Sequence, residues 1–229
     1  MNTIIRILVA IALMLPTISQ AEEAVPRTII GVDLSGSSTF LFDQSSADAA
    51  GNYVERYIAG LSQPHELFMV SLGDPGMARR AIDIRATVTN RRNSGADVLA
   101  RQFGGYFRSL PALAARGDLK EQGTTSLVAF FESLAPICAK GNATIIAFTD
   151  GWEWSSTIDG PSFASGAAML PELHKPFLSG CRVEMLGVGQ VRSTGSSDGL
   201  ERRFTEQWQA FLQAAGADSI SIAGEFFGF

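Results

Sequence analysis

Thr28-Ile29-Ile30-Gly31-Val32-Asp33-Leu34-Ser35-Gly36-Ser37 is the stretch on which the fold of this chain turns. Its first half is an apolar run without polar alternation, the pattern of a strand covered on both faces in a parallel sheet. Its second half is Asp-x-Ser-x-Ser, one carboxylate and two hydroxyls at the strand's C-terminal end, where open α/β sheets hold their ligands. Hard oxygen donors of this kind suit Mg²⁺ or Mn²⁺ rather than a thiolate-seeking metal. Ser-rich turns after strands are common, so the reading needs further ligands from elsewhere in the chain.

Outward from this strand, apolar runs alternate with segments of helical period. Val54, Tyr57, Ile58 and Leu61 predict a helix over Asp48–Leu61, and Glu66–Leu72 reads as the next strand. Gly73-Asp74-Pro75-Gly76 marks a turn. Ala81–Val88 then alternates, Ile82, Ile84 and Ala86 against Asp83, Arg85 and Thr87, which suits an antiparallel edge strand. Leu99, Phe103, Tyr106 and Leu110 predict a helix stopped at Pro111, and Leu127, Phe130, Phe131 and Leu134 predict another. Ala143–Phe148 and Val183–Val188 read as buried strands, with a helix expected near Ala167–Phe177 between them. A long helix over Asp198–Gly216 and a strand over Ser219–Ala223 complete the pattern. The expected fold class is α/β: a doubly wound, mostly parallel central sheet with one antiparallel edge strand and helices on both faces.

Residues 1–21 carry the pattern of a secretory signal peptide. Arg6 lies in a short polar start, Ile7–Leu15 is apolar, Pro16 breaks the run, and Ser19-Gln20-Ala21 supplies small residues for cleavage. The apolar run is too short to span a bilayer. Residues 22–229 are then expected to form one domain, soluble after cleavage and periplasmic or secreted. The formal net charge is −5, and Arg79-Arg80, Arg91-Arg92 and Arg202-Arg203 are isolated basic pairs. That balance argues against nucleic acid or an anionic membrane surface as partner. Cys138 and Cys181 each precede an apolar run, so neighbouring parallel strands would bring them to one end of the sheet. A disulfide suits an exported chain, with two buried thiols as the alternative.

Two further segments supply the missing ligands. Gly123-Thr124-Thr125-Ser126-Leu127 opens the third helix and sets a threonine hydroxyl at its start. Thr149-Asp150-Gly151 ends the strand Ala143–Phe148 and places a second carboxylate at the same sheet edge as Asp33. Asp33, Ser35, Ser37, Thr125 and Asp150 are therefore the candidate metal ligands. Mg²⁺ keeps several waters, so two or three direct protein ligands with water-mediated carboxylates are enough, and a coordination position stays open.

Taken in order, these segments resemble the von Willebrand factor type A domain family. Asp33-Leu34-Ser35-Gly36-Ser37 matches its Asp-x-Ser-x-Ser, and Gly123-Thr124-Thr125 looks like its Gly-x-Thr, with Thr125 the better fit and Thr124 the fallback. Phe148-Thr149-Asp150-Gly151 matches its strand-terminal Thr-Asp-Gly, and Leu186-Gly187-Val188-Gly189 resembles the strand that follows. The resemblance implies a metal-ion-dependent adhesion site holding Mg²⁺ or Mn²⁺, whose shell a partner protein's carboxylate completes. Two protein carboxylates leave a divalent ion without large surplus charge, and a third stabilises it further. The function expected is an exported, metal-dependent protein-binding domain, not an enzyme, engaging a protein partner that contributes an acidic residue.

Trp152, Glu153 and Trp154 follow Asp150-Gly151 and are the expected partner-binding rim, since tryptophan is enriched in binding hot spots. The alternatives are tryptophans folded over the sheet end and a Glu153 turned inward to cap the ion. Two other functions are carried alongside. One is a metal-dependent hydrolase using Asp33 and Asp150, for which the isolated His65 and His174 supply no evident base. The other is a structural subunit of an envelope complex whose ion only stabilises the fold. Gly187-Val188-Gly189 begins like a dinucleotide fingerprint, but Arg192 stands where its third glycine belongs. Phe226, Phe227 and Phe229 are expected to pack back onto the core.

Overall fold

The computed structural model describes residues 24–73, 81–192, 195–196 and 198–226. The expected signal peptide over residues 1–21, the 74–76 part of the expected turn, and Phe227 and Phe229 lie outside the described residues. β1 (Arg27–Asp33) is buried from Thr28 onward, as its uninterrupted apolar pattern requires. It pairs in parallel with β2 (His65–Leu72) on one side and with β4 (Ala143–Phe148) on the other. β3 (Asp83–Val88) runs antiparallel to β2 at one edge. β5 (Cys181–Leu186) and β8 (Ser219–Ala223) extend the sheet in parallel beyond β4. The order is β3-β2-β1-β4-β5-β8, and a separate ribbon pairs β6 (Gln190–Val191) with β7 (Gly195–Ser196). Connections leave β1 toward one side of the sheet and β4 toward the other, so the strand order reverses between them. The register sets Val32 opposite Phe148, which brings Asp33 and Thr149-Asp150 together at that switch point.

Helices cover both faces. α1 (Gln44–Ala59) and α2 (Ala96–Ala115) pack over Ile30, Val32 and Phe148. α3 (Leu127–Ser133), the one-turn α4 (Ala135–Cys138), α5 (Gly160–Ser165) and α6 (Asp198–Ala214) pack over Ile29, Ile145 and Val183. α1 starts where Asp43 accepts a hydrogen bond from the Ser46 N–H at 2.7 Å. α1 and α2 approach closely at Gly51 and Gly104, where a Cβ on either would stand 2.7 Å from the other's carbonyl oxygen.

β5 lies two residues earlier than the expected Val183–Val188, the β6–β7 ribbon was not expected, and two further differences turn on proline. α2 continues through Pro111, the expected stop. The proline removes one ladder hydrogen bond, but Leu110, Leu113 and Ala114 stay packed in the core, and that burial outweighs the loss. The segment expected as a helix near Ala167–Phe177 is irregular, and the short α5 precedes it, ending at Gly166 with φ 82°. Pro171 and Pro176 remove two amide donors from that segment, so it has too few bonds to form a helix. Cys138 and Cys181 are bridged as expected, with Cα atoms 5.1 Å apart, tying the end of α4 to the start of β5. Phe226 packs back onto Phe40 and Phe148, with ring centroids 5.8 and 6.3 Å away. Among the described residues no helix is long and apolar enough to cross a membrane.

Candidate functional site

Asp33 ends β1 with its side chain fully buried and its carboxylate fixed from three sides. The Ser35 N–H donates to Oδ1 at 2.9 Å, Thr125 Oγ1 donates to Oδ1 at 3.4 Å, and Thr149 Oγ1 donates to Oδ2 at 2.6 Å. Thr149 in turn accepts from the Gly151 N–H at 3.0 Å, so its hydroxyl hydrogen is directed at Asp33. Ser35 and Ser37 face each other, with hydroxyl oxygens 3.0 Å apart. Asp150 is 2% exposed; its Oδ1 accepts from the Trp152 N–H at 2.9 Å, while its Oδ2 has no hydrogen-bond partner. The positive φ of Gly151, 78°, turns the chain so that this amide points back at the carboxylate.

Single-residue bridges hold the three loops in one frame. Ser35 pairs with Gln122, Ser38 with Val191, and Thr125 with Trp154. In the last pair both backbone bonds are 2.9 Å. Donors from loops far apart in sequence are thus preorganised rather than assembled on binding.

The electrostatics are those of acid groups buried without a base. Burial raises the Asp33 carboxyl above its ordinary range, against the Thr149, Ser35 and Thr125 hydrogen bonds. Burial and the Asp33 charge push Asp150 up to about 7, opposed by the Ser37 hydroxyl and the Trp152 N–H. Among the described residues no Lys, Arg or His is hydrogen-bonded or ion-paired to either aspartate. Among the described residues no three His, Cys, Asp or Glu side chains converge in a metal-sized group. A cation here would therefore rely on hydroxyls beside the two carboxylates, a donor set that fits Mg²⁺ or Mn²⁺. The unpartnered Asp150 Oδ2 is the atom such an ion would satisfy.

The expected rim needs correction at Glu153, which is 0% exposed. The Thr125–Trp154 pairing turns its side chain inward, where Oε2 accepts from the Leu127 and Val128 N–H groups at 2.7 and 3.2 Å. Glu153 thereby satisfies the first amides of α3, and burial pushes its carboxyl up to about 7. Trp152 is half-buried, donating from Nε1 to the Gly160 carbonyl at 2.8 Å and packing on Phe204. Trp154 is 45% exposed. Both tryptophans line a cavity of about 540 Å³ together with Ser35, Ser37 and Thr125. Arg192 and Glu121 also line it, and neither was singled out for this role from sequence. Arg192 is far along the chain from every ligand loop, and Glu121, only two residues before Gly123, belongs to no ligand motif. The two histidines lie elsewhere: His65 bonds Thr28 at the opposite end of β1, and His174 is exposed.

No family model and no curated protein matches this chain. Among solved structures it is similar to an aerotolerance-related membrane protein from Bacteroides fragilis, at 14% identity and TM-score 0.46, covering 86% of this chain and 91% of that one. The pilus adhesin SpaC from Lactobacillus rhamnosus GG in its open conformation is similar at 13% identity and TM-score 0.46, over 90% of this chain but 28% of the adhesin. The SpRpn10 VWA domain is similar at 11% identity and TM-score 0.39, over 87% of this chain and 88% of that domain. At these scores the likenesses say nothing about function, which rests on the site itself.

Proposed function

We propose that residues 22–229 form one von Willebrand factor type A domain, exported after cleavage behind Ala21, that binds a partner protein through a divalent cation. Asp33, Ser35, Ser37, Thr125 and Asp150 would hold Mg²⁺ or Mn²⁺. The observation that carries this reading is the pair of buried aspartates beside Ser35, Ser37 and Thr125, which line an open cavity, with neither aspartate ion-paired among the described residues. When bound, the ion supplies positive charge at the cavity, the chemistry that attracts a partner's carboxylate. The protein's own residues do the rest. Thr149 and the Ser35 amide orient Asp33, the Trp152 amide orients Asp150, and Trp152 and Trp154 wall the approach.

Binding rather than catalysis is proposed because neither histidine reaches the site and both aspartates are fixed by hydrogen bonds. The test is capture of a partner from an envelope extract with wild type and Asp33→Ala, in Mg²⁺ and in chelator. The expected result is a partner retained only by wild type in Mg²⁺. Capture indifferent to chelator and mutation would favour a structural role. Phosphatase or esterase turnover that disappears in Asp33→Asn would favour the hydrolase. N-terminal sequencing of the mature protein checks the cleavage behind Ala21.

A further inference from the structure

We propose that the partner segment carries a second carboxylate close to the metal-directed one, and that Arg192 is the specificity residue that reads it. This rests on the metal-dependent binding proposed above. Arg192 is tied to the ligand loop by its backbone: its N–H donates to the Ser37 carbonyl at 2.8 Å, and the preceding Val191 pairs with Ser38. Its side chain is exposed and lines the same cavity as Ser35, Ser37 and Thr125. The guanidinium carbon stands 3.8 Å from the centroid of the Phe42 ring. Stacking at that distance uses one face of the guanidinium and restrains its plane. The N–H donors along its edge remain available for the in-plane, bidentate bonding that suits a carboxylate. Among the described residues Arg192 forms no ion pair.

The cavity also has a polarity. Glu121 lines it too, with its Oε2 3.3 Å from where a Cβ on Gly36 would stand. It forms no ion pair among the described residues either. A bound acidic segment is therefore attracted by the Arg192 guanidinium and repelled by the Glu121 carboxylate. The pair favours a second acid placed to reach Arg192 and clear of Glu121. Trp154, exposed on the same cavity, gives the intervening residue an apolar surface.

The probes are capped synthetic peptides on a Gly/Ser background, carrying either one Asp or two acidic residues separated by one to three positions. They are titrated into Mg²⁺-loaded wild type, Arg192→Gln and Arg192→Lys. For the best spacing, wild type is expected to prefer two acids over one by about three- to tenfold, the range of a charge-assisted pair at a partly exposed site. Arg192→Gln is expected to abolish that preference, and Arg192→Lys to keep part of it. One-acid binding should fall less than two-acid binding in Arg192→Gln, and both should vanish in chelator and in Asp33→Ala. A two-acid preference that survives in Arg192→Gln, or none in wild type at any spacing, overturns the inference while leaving the metal reading standing. Peptide binding that ignores chelator and Asp33→Ala overturns the metal reading, and the inference with it.

Discussion

Thr149 donates the shortest hydrogen bond received by Asp33, 2.6 Å, and is fully buried while doing so. Replacing it by valine keeps the shape and deletes the donor. Thr149→Val is expected to fold and to lose about tenfold in Mn²⁺ affinity, the usual effect of removing a group that orients a ligand, read by calorimetry. Asp150→Asn should act in two directions. It removes one of two neighbouring buried charges, so the metal-free protein at alkaline pH gains about 1 kcal/mol in urea unfolding, while the stabilising response to Mg²⁺ is lost. At this scale Asp33, Ser35 and Ser37 were legible because a strand end and its turn place them within five residues of each other. The inward direction of Glu153 was not, because it depends on the Thr125–Trp154 pairing, a contact between distant loops.

At the scale of elements, the Gly51–Gly104 approach makes the α1–α2 contact sensitive to a single methyl. In an open helix Gly→Ala gains about 1 kcal/mol. Gly104→Ala is instead expected to lose about 1–3 kcal/mol, because its Cβ would stand 2.7 Å from the Gly51 oxygen, as measured by denaturant unfolding. The Cys138–Cys181 bridge spans a sequence separation of 43, so the Cys138→Ser/Cys181→Ser pair should cost about 4 kcal/mol by loop-closure entropy, seen as a lowered unfolding midpoint. The central strands β1 and β4 are legible because burial on both faces leaves an uninterrupted apolar run that a helix of the same length rarely shows, and β3 because it alternates. The helices were read less well where proline decides. Pro111 by itself predicts a stop, yet flanking core contacts carry α2 past it. Pro171 and Pro176 keep a segment of helical apolar content irregular while its apolar residues still pack on the core.

For the whole molecule, the buried acids make stability depend on pH and on metal together. Asp150 and Glu153 are both held up to about 7, so the metal-free folded protein keeps protons that the unfolded chain releases near its ordinary carboxyl range. Stability in chelator should therefore be fullest at low pH and fall as pH rises from about 4 through about 7. The stabilisation by Mg²⁺, which competes with those protons, should grow across the same window. Melting temperatures at about pH 5.5 and about pH 8, with chelator and with Mg²⁺, check both signs. The central claim is that Asp33, Ser35, Ser37, Thr125 and Asp150 form one cation site, and calorimetric titration of Mn²⁺ into wild type and Asp33→Ala tests it most directly. The account predicts one saturable site in wild type and none in Asp33→Ala. Equal binding by both proteins, or no binding by wild type, would contradict it.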